Sequence, residues 1–302
     1  MSETGNTEYK QREQLPYRTY AQVNLQQLLE NTKKVKALLK PQTKLLSVLK
    51  ADGYGHGAVQ VARTIEDESD WFAVASFYEA KELREHGITK PILVFGFLDD
   101  SHVEEAVQRD ITCSALSYEY AMHLAHLCEQ KKLRLSMHIK LDTGFHRLGI
   151  SCCENSSECM EELLPLYALP NIHITGIYTH LVFAGSVQEQ EQAFTQLQYQ
   201  RFKNCIAALG KLGIDPGICH ICNSKAAVHH PQLHMDMVRV GAYMFGLASA
   251  QEQELIPLKE ALLWKARVVL LREIKAGEGV GYGHDFIAEK PTRIAVLAAG
   301  FA

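Results

Sequence analysis

The sequence has 302 residues, 47% of them hydrophobic and 22% charged, which is enough apolar material for a sizeable core in one large domain or two. Its formal net charge of -4 is spread without long single-sign runs, so no basic stripe is available to neutralise a phosphate backbone and nucleic acid is excluded as a partner. No apolar run approaches the ~20 residues that span a bilayer, and the polar start MSETGNTEYKQREQ is unlike a signal peptide, so we read a cytoplasmic protein without a membrane segment.

Residues 1–16 read as a polar tail. YRTYAQVNL follows, strand-like, and over residues 17–24 is placed to pair with a late β-rich region. Eight short apolar runs then recur along the chain: KLLSVLK, WFAVAS, ILVFG, ITCSA, LSMHIKLD, IHITGIYTH, GICHICNS and YMFGLAS. Between them lie AVQVARTIED, FYEAKELREHG, SHVEEAVQRD, YEYAMHLAHLCEQKK and QEQAFTQLQYQRFKNCIAALGKLG, whose apolar positions repeat every three or four residues. Alternating strands and helices imply parallel pairing through right-handed crossovers, and eight units predict a (β/α)8 barrel of the TIM type over residues 17–249. A doubly wound open sheet is the weaker alternative, because no strand runs into a GxGxxG turn. After Ser249, LLWKARVVLLREIKAGEGVGYGH and TRIAVLAAGFA are β-rich with no intervening helix, which predicts a β domain over residues 250–302. It stops inside an apolar run, so we expect an incomplete domain in a truncated chain, or strands supplied from elsewhere.

The eight cysteines give little sign of a metal. CHIC, from Cys219 to Cys222, sits in a strand-like segment where positions three apart face opposite ways, and buried free thiols are the simpler expectation. SCCENSSEC reads as a polar loop without a disulfide framework in a reducing compartment, and HHPQLH, from His229 to His234, as exposed loop histidines.

SVLKADGYGHG places Lys50 at the end of the first strand, on the face where barrel active sites are built, beside glycines that permit close approach of a ligand and beside Tyr54. At the far end of the barrel, CNSKAA and RVGAYMFG follow and span the seventh and eighth strands, where barrels often bind phosphate. Asn223 and Ser224 open a helix there, and the Gly241 and Ala242 amides lie near in this layout. A lysine at one end and a phosphate cradle at the other suggest pyridoxal 5'-phosphate.

SVLKADGYGHG, IKLDTGFHRLGI, IYTHL, CNSKAA, DMVRVGAYMFG and VGYGHDF together resemble the successive signatures of bacterial alanine racemases, from about Tyr17 to Ala302. The resemblance implies a barrel with a C-terminal β domain, a homodimer with active sites at the subunit interface, and Lys50 carrying pyridoxal phosphate. It further implies phosphate contacts at Tyr54, Ser224, Gly241 and Ala242, with Asn223 beside them, and Arg239 on the pyridine nitrogen. Arg147 matches the contact to the cofactor's phenolic oxygen and the substrate carboxylate. Lys140 matches a lysine that is often carbamylated and pairs with that arginine. Val240 and Phe245 depart from the commonest pattern, where proline and tyrosine stand. The family's second base is a tyrosine from the partner subunit, matching Tyr282, with His180 as its contact. A phenol acting as a base at neutral pH needs nearby positive charge or hydrogen bonds. The implied reaction is racemisation of alanine by Lys50 and Tyr282 on opposite faces, supplying D-alanine for peptidoglycan. The rivals are a serine racemase of the same fold and a non-catalytic pyridoxal phosphate barrel.

Overall fold

The computed structural model describes residues 18–153 and 156–300, so the tail read at residues 1–16 lies outside them. Eight β-branched runs become eight parallel strands: β1 Lys44–Val48, β2 Trp71–Val74, β3 Ile92–Val94, β4 Ile111–Ala115, β5 Leu135–Asp142, β6 Ile172–Tyr178, β7 Ile218–His220 and β8 Met237–Val240. They pair in the order β8-β1-β2-β3-β4-β5-β6-β7, with Arg239 opposite Leu46 and Val240 opposite Ser47 where last meets first. The remaining seam, between β7 and β8, is held by Asp236 N–H to Cys219 O (3.1 Å) and Arg239 N–H to Cys222 O (3.0 Å). The Asp236 carboxylate also accepts from the Cys219 amide at 2.8 Å. The result is the nearly closed (β/α)8 barrel that the alternation predicts.

Both faces of each strand are covered, which is why β4 is buried at every position, its polar Thr112 and Ser114 included. Leu45 and Leu49 pack with the helices, whereas Leu46, Val48, Ala73, Leu93 and Met237 form a separate cluster, as the period of two along a strand demands. Helix starts follow local chemistry. Ser76 accepts from the Glu79 amide, and Glu79 reaches back to the Ser76 amide, opening the helix Phe77–Glu85.

The chain divides into two units, residues 24–261 and residues 1–23 with 262–302. Among the described residues the smaller unit consists of antiparallel pairs: Thr19–Val23 with Leu262–Ala266, Val268–Ile274 with Thr292–Leu297, and Gly279–Val280 with Phe286–Ile287. The division falls later than Ser249. That serine caps a further helix, Ala250–Leu255, and Ile256, Leu258 and Ala261 are buried in the core of the larger unit.

Three expectations need correction. The eighth strand is not YMFGLAS but MVRV, because Gly241 to Gly246 coil through Met244 N–H to Gly241 O, Phe245 N–H to Ala242 O and Gly246 N–H to Tyr243 O. Cys152 and Cys159 are joined in a disulfide rather than lying free in a polar loop, their Cα atoms 5.1 Å apart and within bridging range. His234 is fully buried, its Nε2 bonded to Ala227 O at 2.8 Å, while His229 and His230 are half-buried.

Candidate active site

A cavity of about 340 Å³ opens at the strand ends of the barrel, lined among others by Lys50, Tyr54, Lys140, Arg147, His180, Asn223, Ser224, Arg239 and Gly241. Lys50 stands two residues past β1, at the start of an unusual turn. Ala51, Asp52, Gly53 and Tyr54 all have left-handed backbone angles, with φ of 54°, 52°, 59° and 56°. Three of the four carry a Cβ, and each such residue costs roughly 1–2 kcal/mol in this region. Anchors on both sides offset it: Glu79 accepts from the Ala51 amide at 2.7 Å, and the Asp52 carboxylate accepts from the Ala58 amide at 2.7 Å. The turn sets the Tyr54 ring 4.9 Å from Phe245, and burial raises the Tyr54 phenol above its ordinary pKa, so it enters the cavity as a neutral donor.

Opposite β1 in sequence, the β7 and β8 ends supply further donors. Asn223 caps the helix Ser224–His229 by accepting from the Ala226 amide at 3.0 Å. The Ser224 hydroxyl accepts from the Gly241 amide at 3.0 Å, which leaves its own proton to donate. A Cβ at Gly241 would overlap the Tyr54 hydroxyl, so only glycine lets the Tyr54 and Ser224 hydroxyls converge there. Gly241→Ala is therefore expected to push Tyr54 aside and weaken phosphate-bearing ligands about tenfold or more, the equivalent of ~1–3 kcal/mol of overpacking. Equilibrium titration of the variant with pyridoxal phosphate checks this.

Arg239 is 4% exposed, and its terminal nitrogens are consumed by protein. Nη1 donates to His220 O (3.0 Å) and His220 Nδ1 (3.1 Å); Nη2 donates to Thr179 O (2.7 Å), Ile221 O (3.1 Å) and His180 Nδ1 (3.4 Å). Nε–H takes none of these bonds among the described residues. Burial lowers the guanidinium only to about 10, so it remains a cation at neutral pH. Because arginine can only donate, both histidine tautomers follow. His220 accepts at Nδ1 and donates from Nε2 to His138 Nδ1 at 3.0 Å, and His180 keeps its proton on Nε2. Burial, then the Arg239 charge, holds His180 down at about 3, so it is neutral. Tyr178, which sequence reasoning missed, stacks on His220 at 4.9 Å and lies under the Arg239 guanidinium at 5.4 Å. Its position in IYTH differs little from any apolar strand residue.

After β5 the chain wraps around Asp142, whose carboxylate accepts from the amides of Gly144 (2.8 Å), Phe145 (2.8 Å) and Arg147 (3.1 Å). Burial alone would raise this carboxyl, but those amides and the Lys140 charge outweigh it and hold it below the ordinary value. The wrap presents Arg147, its guanidinium 4.4 Å from the Phe145 ring centre. Lys140 is 7% exposed, donates to Leu141 O at 2.6 Å, and is driven down to about 7 by burial and by the Arg239 and Arg147 charges. Behind this loop the long helix Glu189–Lys211 contributes Gln198, fully buried, which donates to Thr143 Oγ1 (3.2 Å) and His180 O (3.1 Å) and accepts from the Val182 amide (2.9 Å). Gln198 was also unforeseen; a single glutamine in QEQAFTQLQYQ carries no distinguishing signal.

Nine of the eleven residues singled out from the sequence thus line one cavity. Ala242 is half-buried in the turn after β8 and is not among the lining residues. Tyr282 belongs to the smaller unit, at the start of the turn Tyr282–His284, and is 97% exposed there.

An amine, an anion cradle and a buried cation facing one cavity on a parallel barrel define a cofactor-type active site. Residues 23–249 match the family model described as the N-terminal domain of alanine racemase, and residues 261–302 match that of its C-terminal domain. Alanine racemase 2 of Caldanaerobacter subterraneus is 32% identical over 94% of this chain and 72% of its own length, and alanine racemase of Clostridium tetani is 35% identical over 94% and 72%. Among solved structures, alanine racemase of Clostridium difficile superposes with a TM-score of 0.83 at 31% identity, covering 94% of this chain and 73% of that one. The chain belongs to the alanine racemase family.

Proposed function

We propose that the chain interconverts L- and D-alanine in the cytoplasm with pyridoxal 5'-phosphate, using two bases on opposite faces of the substrate, and supplies D-alanine for peptidoglycan. The observation that carries this reading is that the Lys50 amine, the Tyr54 and Ser224 hydroxyls beside Gly241, and Arg239 open on the same cavity. The chemistry of this donor set fits the cofactor. Two hydroxyl protons, from Tyr54 and Ser224, meet where only glycine leaves room, which suits a phosphate, and the Arg239 Nε–H is the remaining donor for a ring nitrogen. When bound, pyridoxal phosphate supplies the electron withdrawal that makes the α-C–H of an attached amino acid acidic.

Arg239, staying protonated, keeps that ring nitrogen neutral, which moderates the withdrawal and limits side reactions such as transamination. Arg147 receives the substrate carboxylate. Lys50, released when substrate takes its place, removes the α-proton of the D-isomer or delivers one to form it. Tyr282 of the partner subunit serves the other face in a homodimer. The His180 Nε2–H, whose tautomer Arg239 imposes, is the donor assigned to that phenol oxygen.

Lys140 reads as the carbamylated lysine that pairs with Arg147. With its pKa brought down to about 7, the amine is neutral above that value and reacts with carbon dioxide, losing one proton as the N–C bond forms. The carbamate is therefore expected to be absent well below pH 7 and to grow through it, while a solvent-exposed lysine stays a cation over the same range. Labelled bicarbonate and carbon NMR between about pH 6 and 8 check this, with Lys140→Ala as the blank.

The defining experiment is chiral analysis of L-alanine incubated in heavy water with the purified chain and pyridoxal phosphate. D-alanine carrying α-deuterium supports the reading. Faster turnover of serine than of alanine would make the chain a serine racemase, and bound cofactor without interconversion of either would make it a binding barrel.

A further inference from the structure

Three cysteines converge from three separate segments. Cys152 follows the short strand Ile150–Ser151 that extends the β5 ladder, Cys159 lies on the helix Ser156–Leu166, and Cys205 lies on the long helix Glu189–Lys211. They are 5%, 1% and 1% exposed. Cys152 and Cys159 are bonded to one another, and the Cys205 sulfur sits 3.6 Å from the first and 3.5 Å from the second. A third sulfur in contact with both bridged sulfurs is a near-neighbour attacker for thiol–disulfide exchange, and a rotation of its side chain must bring it into line with the S–S bond that breaks.

We propose that Cys152, Cys159 and Cys205 form a redox site in which the bridge moves among three sulfurs, opened by dithiols and closed by low-molecular-mass disulfides. In the internal step the Cys205 thiolate attacks one bridged sulfur. The Cys152–Cys159 bond breaks, a bond to Cys205 forms, and the displaced sulfur leaves as a thiolate that takes up the proton Cys205 gave up, with no net oxidation. Opening the site takes two electrons and two protons from a dithiol, which becomes a disulfide; closure is the reverse, with a small disulfide reduced to two thiols. The two contact distances are nearly equal, so both Cys205-containing bridges are within reach. Burial pushes the Cys205 thiol up to about 11, which makes the exchange slow.

The position of the bridge matters to the cavity. The Cys152 amide donates to Asp142 O at 2.7 Å, and Asp142 is the carboxylate around which the Arg147 loop is wrapped. The helix carrying Cys205 also carries Gln198, which holds Thr143 and His180, and Arg201, which donates to Thr143 O at 2.8 Å. A Cys152–Cys159 bridge puts no covalent link between these two sets of anchors, which meet only through the neighbours Asp142 and Thr143, whereas a Cys152–Cys205 bridge joins the long helix covalently to the segment beside the Arg147 loop. The effect on substrate rests on the racemase reading; the exchange itself does not.

The test equilibrates the full chain with pyridoxal phosphate in mixtures of reduced and oxidised dithiothreitol, quenches in acid, caps free thiols with N-ethylmaleimide, and maps linked peptides by mass. Wild type is expected to yield Cys205-linked peptides beside the Cys152–Cys159 pair, Cys152→Ser a Cys159–Cys205 bridge, Cys159→Ser a Cys152–Cys205 bridge, and Cys205→Ser the Cys152–Cys159 pair alone. Oxidised Cys159→Ser should show a several-fold shift in KM for L-alanine relative to its reduced form, with kcat less affected and Cys205→Ser unmoved. Cys205 fully capped in wild type and in both other variants, under conditions that close the wild-type bridge, overturns the site. A mapped Cys205 bridge with unchanged KM in an active enzyme overturns its coupling to Arg147, and an inactive chain leaves the peptide map to decide the exchange.

Discussion

Lys50→Ala is expected to lower racemisation by about four orders of magnitude or more, because the proposed function assigns to this one residue both the hold on the cofactor and the role of a base. Structural damage is not the cause: the side chain is exposed, and the turn that follows it is held by Glu79 and Asp52 rather than by the lysine. The variant should therefore keep its circular dichroism spectrum and melting temperature while losing the absorbance of lysine-linked cofactor. Pyridoxal phosphate should still bind, through Tyr54 and Ser224, but should wash out on dialysis. A variant that racemises alanine at more than a small fraction of the wild-type rate would remove Lys50 from the chemistry.

Tyr282→Phe is expected to leave the cofactor in place and to slow interconversion by ~10²–10⁴-fold, the usual span for loss of one general acid–base group. Exchange of the α-hydrogen with solvent should become one-sided. The D-isomer, whose proton faces Lys50, keeps exchanging, while the L-isomer does not. Since Tyr282 is assigned to the partner's site, mixing Tyr282→Phe chains with Lys50→Ala chains makes a stronger test. In a mixed dimer one site regains both bases and the other has neither, so random re-pairing should restore about a quarter of wild-type activity. No recovery on verified subunit exchange would mean that the tyrosine acts within its own chain or not at all.

Much of this architecture was legible in the sequence, for a physical reason. Strands covered on both faces lose the strict apolar/polar alternation and read as short runs between helical segments, and β4 and β5 were read to the residue at ITCSA and LSMHIKLD. β8 was misplaced because its four residues include an arginine, whereas the apolar run after it coils at Gly241 and Gly246, where a Cβ would overlap neighbouring atoms. Lys50 and Tyr54 stood out by their glycine setting. The left-handed turn between them did not, since Ala51 and Asp52 adopt that geometry only because Glu79 and the next helix hold it. Gln198, Tyr178 and the Cys152–Cys159–Cys205 contact depend on side chains from elements distant in sequence, which no local period encodes.

The pairing of β8 with β1 has a consequence for how the protein comes into being. Ser47 finds its partner in Val240 only after nearly the whole barrel has been synthesised, and such non-local pairing is slow because a long loop must close before any contact rewards it. Lys50 and Tyr54 lie just past one side of that junction, and Arg239 and Gly241 at the other. Neither half of a growing or partly refolded chain holds these residues together by itself, so on the proposed function capture of the cofactor would report finished rings. In refolding, helical circular dichroism should return first and cofactor capture should lag, its rate set by closure of that last junction.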